Sequence, residues 1–191
     1  MADTEPLARL SSLVDALPAP LTEEWAWATL GPSALIDHVE VTHHTREAEA
    51  LTRLAARAEV LAGELGGQHA AVLEVLARLG ELRGDLLAHD ELEEQRAFPM
   101  IRHAERVRWQ VGSDAALVAL IAQLRAEHRA TSAALDEVVR LAEGIGAAPG
   151  SAMATLADDL RAFGEELRLH LHKEDDVLFP EVERHLARCR P

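Results

Sequence analysis

Two eleven-residue phrases carry most of the chemistry in this chain. The first is HDELEEQRAFP, from His89 to Pro99, and the second is HLHKEDDVLFP, from His170 to Pro180; both reduce to H-x-x-x-E-[ED]-x-x-x-F-P. On a helix, residues four apart share one face, about 5–6 Å apart at Cβ. His89 with Glu93, and His170 with Glu174, can therefore each offer an imidazole nitrogen and a carboxylate to one metal centre. In both cases the pair continues an apolar stripe: Val72, Val75, Leu79, Leu82 and Leu86 lead into His89, and Leu156, Leu160, Phe163 and Leu167 lead into His170. A carboxylate on a core-facing seam costs several kcal/mol unless something compensates its charge.

Two further histidines lie on such seams. His128 interrupts the stripe Leu117, Ile121, Leu124, Thr131, Leu135, Val138, Ala142. Seven-residue steps with the intermediate 3/4 positions from His44 reach Val41, Ala48, Leu51, Ala55, Ala58 and Ala62, whereas the same walk from His43 reaches Arg46, Arg53 and Arg57, which belong in water. His44 is thus the seam residue. His43 with Glu47 is read as an exposed helical pair, although Ile36 and Val39 upstream favour the His43 face. His172 is read as solvated, Glu94, Asp175 and Asp176 as a solvated face, and His69, His103 and His185 as surface or outer groups near helix ends. Four His and two Glu converging in one core need a common partner, which two divalent cations supply, with the carboxylates placed to bridge them. Iron, manganese and zinc all suit imidazole with carboxylate; a purely structural zinc takes four ligands at one ion.

The elements that must position these groups are helices. Ser33 is the expected N-cap of a first long helix ending before Gly66-Gly67, and a second runs from about Gln68 to Ala97, with the Phe-Pro pair as an apolar lid and helix stop. A polar connector follows to Gly112. Ser113 is placed to cap a third helix, Gly144 to Gly150 form a break, and Ser151 opens a fourth. The expected fold is all-α, an antiparallel up-down-up-down four-helix bundle. Residues 32–186 form the bundle, residues 1–31 a short helical extension closed by Pro18 and Pro20, and 187–191 a tail. The seam histidines are 45 residues apart in one half (His44 to His89) and 42 in the other (His128 to His170), so the bundle reads as two similar hairpins.

Composition narrows the partners. The 191 residues carry a net charge of −14 and a single Lys, Lys173, which argues against nucleic acid and anionic membrane surfaces. No stretch approaches 18 consecutive apolar residues, and the acidic start MADTEPLARL lacks a leader pattern. The lone Cys189 fits a reducing compartment, so a cytoplasmic location is expected. With no Tyr and 3% aromatics, tyrosine ligands and stacking platforms drop out.

These segments resemble the hemerythrin-like (HHE) domains, and within them the di-iron proteins that repair iron-sulfur centres, the RIC group. The resemblance rests on LIDHVEVTHH (35–44), HDELEEQRAFPMI (89–101), AEHRATSAAL (126–135) and HLHKEDDVLFP (170–180). It implies two iron ions, rather than manganese or zinc, held by His44, His89, Glu93, His128, His170 and Glu174, with both carboxylates bridging. It further implies a role in nitric oxide or oxidative stress and in iron-sulfur cluster repair. The alternatives are an O₂- or NO-binding sensor or reservoir without turnover, or a di-iron NO or peroxide reductase; catalysis as such is left open. The implied partners are O₂, NO or peroxide and damaged iron-sulfur proteins, for a monomer or weak homodimer. Two features depart from the pattern. The first 30 residues hold no cysteine pair, and Ser132 stands where oxygen carriers place a fifth histidine.

Overall fold

The computed structural model describes residues 27–65, 67, 70–109, 115–146 and 148–188. Its four rods are broken only by changes in helical pitch. Rod one comprises α1 (Pro32–Val39), a π-helical segment Glu40–His44 and α2 (Thr45–Leu65). Rod two comprises α3 (Ala70–Leu92), a π-helical segment Glu93–Ala97 and α4 (Phe98–Arg106). Rod three is the single helix α5 (Ala115–Gly144). Rod four comprises α6 (Ala152–His172), a π-helical segment Lys173–Leu178 and α7 (Phe179–Arg188). No strand occurs among the described residues. Each rod packs on the next, and the fourth closes on the first.

Two apolar clusters fill the bundle. One contains Leu51, Leu54, Leu79, Leu82, Leu86, Leu135, Leu160 and Leu167; the other contains Leu35, Ile36, Val39, Phe98, Ile101, Ile121, Leu124, Phe179 and Val182. The chain meets them in opposite order on successive rods, as an up-down-up-down bundle requires. On every rod the seam His and Glu fall between the two clusters, so the polar groups occupy a layer sealed above and below by side chains each worth about 1.5–3 kcal/mol on burial.

The π-helical segments correct the expectation that Phe-Pro stops the helices. The Phe98 N–H bonds to the Glu93 carbonyl, and the Phe179 N–H to that of Glu174, each an i→i+5 step. The wider turn opens the ladder where Pro99 and Pro180 have no N–H to give, and proline is tolerated in the first turn that follows. Both rods continue past the site. The extra residue also rephases the seam by one position, which brings Phe98 and Phe179, five residues after each Glu, back into the core.

Helix ends follow local chemistry. Gly31 precedes α1, with Pro32 at its first position; Ser33 is not the cap. Instead, the Ser33 backbone N–H and hydroxyl both donate to Glu105 Oε2, the former at 3.0 Å, so a carboxylate from α4 satisfies the positive end of α1. Between α5 and α6, Gly146 (φ 66°) and Gly150 (φ 78°) take left-handed conformations that a side chain would strain. Ser151 then caps α6, accepting from the Ala154 N–H at 3.2 Å. The expected extension over residues 1–26, the Ser113 cap, His69 and Cys189 lie outside the described residues.

Candidate metal centre

The structure brings His44, His89, Glu93, His128, His170 and Glu174 into the middle layer, all buried. Their potential ligand atoms form two overlapping groups: His44, Glu93, His170 and Glu174, and His89, Glu93, His128 and Glu174. Within each group the atoms lie inside 4.8 Å of one another. The two carboxylates belong to both groups and face each with a different oxygen. Glu93 turns Oε2 to His44 Nε2 at 3.4 Å and Oε1 to His89 Nε2 at 3.4 Å. Glu174 turns Oε1 to His170 Nε2 at 3.3 Å and Oε2 to His128 Nε2 at 3.3 Å. Two ligand atoms about 2.1 Å from a common ion stand roughly 3 Å apart, which is the spacing found here.

Hydrogen bonding fits the same reading. Each of the four rings has a carboxylate at Nδ1: Glu94 for His44 at 2.8 Å, Glu127 for His89 at 2.9 Å, Asp175 for His128 at 2.9 Å and Glu47 for His170 at 3.0 Å. With Nδ1–H donating, every Nε2 presents a lone pair inward, the arrangement that orients metal-bound histidine. His89 Nε2 and His128 Nε2 then meet at 2.9 Å, two lone pairs face to face unless positive charge lies near them. His44 Nε2, His170 Nε2, and both oxygens of Glu93 and of Glu174 are buried with no hydrogen-bond partner. Leaving such groups unsatisfied costs about 1–3 kcal/mol each and more when charged. Groups placed in this way could hold metal ions.

The titration shifts express that demand for positive charge. Burial raises the Glu93 carboxyl, but the imidazoles of His128, His44 and His89 facing it outweigh burial and hold the group well below the usual carboxylate range. Burial depresses His44 and His128, yet Glu93 and Asp90 beside His44, and Asp175 and Glu93 beside His128, carry both to about 9. His170 is likewise raised, its burial outweighed by Glu174 and Glu47. Asp90, buried close by, is pushed up to about 6 by desolvation.

The repeated phrase now has a use for each position. In H-x-x-x-E-[ED]-x-x-x-F-P, the acid after Glu holds Nδ1 of the lone histidine in the same hairpin: Glu94 holds His44, and Asp175 holds His128. The phenylalanine lies flat on that same ring, Phe98 over His44 at 5.8 Å and Phe179 over His128 at 5.9 Å between centroids. Glu94 and Asp175 are therefore not merely a solvated face. His43 and Glu47 differ from expectation too, since both are buried. The π-helical segment at 40–44 rephases rod one between Val39 and Leu51, so the His43 face favoured upstream and the His44 face favoured downstream both turn inward. The conflict between those two faces was the signal in the sequence. Asp176 and His172 pair with each other in solvent, and the exposed His103 lies outside the layer.

A four-helix bundle whose core gathers four imidazoles around two shared carboxylates defines a class of helical bundle with a candidate metal-binding His/Glu cluster. Residues 35–182 match the Hemerythrin HHE cation binding domain, and the chain belongs to that family. It is 27% identical over 159 residues to the "Probable iron-sulfur cluster repair protein" of Haemophilus influenzae, covering 82% of this chain and 67% of the relative. It is 28% identical over 187 residues to the "Iron-sulfur cluster repair protein YtfE" of Yersinia pseudotuberculosis and of Yersinia pestis, covering 92% of this chain and 80% of each relative. Among the described residues, no helix is long and apolar enough to cross a membrane.

Proposed function

We propose that this chain is a non-haem di-iron protein that serves in the repair of iron-sulfur centres damaged by nitric oxide or oxidative stress. The observation that carries the metal assignment is the division of each carboxylate, one oxygen to each side, between two pairs of imidazoles. His44 and His170 would hold one iron, His89 and His128 the other, with Glu93 and Glu174 bridging. Bound iron supplies redox change and positions for small ligands such as NO, O₂ or peroxide. The protein's own part is to fix the ring orientations through four Nδ1 carboxylates, to balance the cationic charge with two buried carboxylates, and to exclude water with Phe98 and Phe179. The names of the relatives support repair as the use of the site.

The test is to mix anaerobically iron-loaded protein with an NO-damaged iron-sulfur enzyme and assay recovery of the enzyme, with Glu93→Ala as control. Recovery with the wild type alone is expected. A spectral change without recovery would point instead to a sensor or reservoir, a reading favoured by one observation: a surface depression of about 480 Å³ reaches His128 and Ser132.

A further inference from the structure

The pseudo-twofold relation between the hairpins fails at one ligand. His44, His89 and His128 rest on Glu94, Glu127 and Asp175, whose side chains are 46%, 35% and 29% exposed. The partner of His170 is Glu47, 3% exposed and facing it with both oxygens, at 3.1 and 3.0 Å. Behind Glu47 stands His43, its Nδ1 3.5 Å from Glu47 Oε1 and its ring stacked on His170 at 5.0 Å and 9°. Lys173 Nζ donates to His43 Nε2 at 2.8 Å and also contacts His38 Nε2 at 2.8 Å. The only lysine of the chain is thus buried, 4% exposed, one residue before a site carboxylate. The matching position of the other phrase is Leu92, and the residue before the other lone histidine is Glu127 rather than a ring.

The two sides also meet solvent differently. A groove of about 550 Å³ between rods one and four ends on His43 and Glu47, which stand between it and His170. The depression on the far side is lined by His128 itself, with Ser132 one turn on.

We propose that Lys173, His43 and Glu47 form a buried clamp on His170, so that the His44/His170 position retains its metal while the His89/His128 position is the one that exchanges. The clamp acts through geometry. Lys173 fixes the edge of the His43 ring, the ring lies as a plate against His170, and Glu47 holds its Nδ1. A carboxylate shielded from water and tied at both ends holds its histidine in one orientation, whereas a half-exposed one competes with solvent. Lys173, His43 and Glu47 are positioning residues, and the inference rests on the two-metal reading above.

The experiment loads the protein anaerobically with ferrous ion and follows release to a ferrous chelator. The wild type should bind two irons and release them in two phases of equal amplitude. Glu47→Ala and Lys173→Met, checked for intact helical circular dichroism, should accelerate the slow phase by roughly 10-fold or more and leave the fast phase within about twofold. Glu127→Ala should accelerate the fast phase alone. His43→Phe keeps a ring against His170 without its nitrogens, and serves if either clamp variant fails to fold; it too should accelerate only the slow phase. Single-phase release from wild type, or an unchanged slow phase in a folded clamp variant, overturns the inference. A wild type that binds fewer than two irons would instead refute the two-metal reading.

Discussion

Because Glu174 belongs to both candidate ligand groups and His44 to only one, the proposed two-metal site predicts unequal consequences of removing them. In Glu174→Ala each of the two proposed cations would lose a carboxylate oxygen, the one near His170 and the one near His128, each 3.3 Å from its ring nitrogen. In His44→Ala the His89, His128, Glu93, Glu174 group remains whole. Binding stabilises a folded protein by RT ln(1 + [L]/Kd), about 2.7 kcal/mol per site at free metal 100 times Kd. Two sites give roughly 5 kcal/mol, which for a chain of this size raises Tm by about 10–20 °C at about 2–4 °C per kcal/mol. Calorimetry of the wild type with and without ferrous ion, alongside colorimetric iron per chain, should show that full shift and two irons. His44→Ala should keep about one iron and half the shift, and Glu174→Ala nearly none of either. A folded Glu174→Ala that holds two irons with the wild-type shift would refute the shared-carboxylate reasoning.

Further expectations follow from the same geometry. In the metal-free protein His44 and His128 titrate at about 9, so at pH 7.5 both carry protons that an incoming cation must displace. Calorimetric titration in buffers of different ionisation enthalpy should show at least one proton released per ion, with affinity rising from pH 6.5 towards 9. The sign for stability is opposite: a raised histidine pKa stabilises the metal-free fold fully below about 6.5, and that contribution is lost as pH rises through about 9. Thermal melts of metal-free protein between those limits should fall with pH. Glu47 is held down at about 2: burial opposes this, but the charge of His170 and its hydrogen bond outweigh it. Its contribution is therefore present above the ordinary carboxylate value and lost towards pH 2, and Glu47→Gln should flatten acid unfolding over that range. Phe98→Ala empties a fully buried place over His44 and should cost about 3–5 kcal/mol in denaturant unfolding.

Much of this was legible in the order of residues. Apolar stripes of period 3.6 fixed four helices, and the same stripes delivered His89, Glu93, His128, His170 and Glu174 to one interior, because an α-helix carries its face along the rod without reference to neighbours. His44 was placed by the same walk. Gly146, Gly150 and Ser151 announced their turn because positive φ and an N-cap are local demands.

What the sequence left undecided depends on contacts between rods. The π-helical turns at 40–44, 93–97 and 173–178 are not announced by the apolar stripes, and with them His43 and Glu47 lie inside and Pro99 and Pro180 lie within continuing rods. The partners of the four rings come from all four rods: Glu94 reaches from rod two to one, Glu127 from rod three to two, Asp175 from rod four to three, and Glu47 from rod one to four. Such pairings join residues 38 to 123 positions apart, a separation over which linear pattern carries no information. The candidate ligand set was written in each helix separately; its asymmetry, with Lys173 and His43 closing one side, exists only where rods one and four meet.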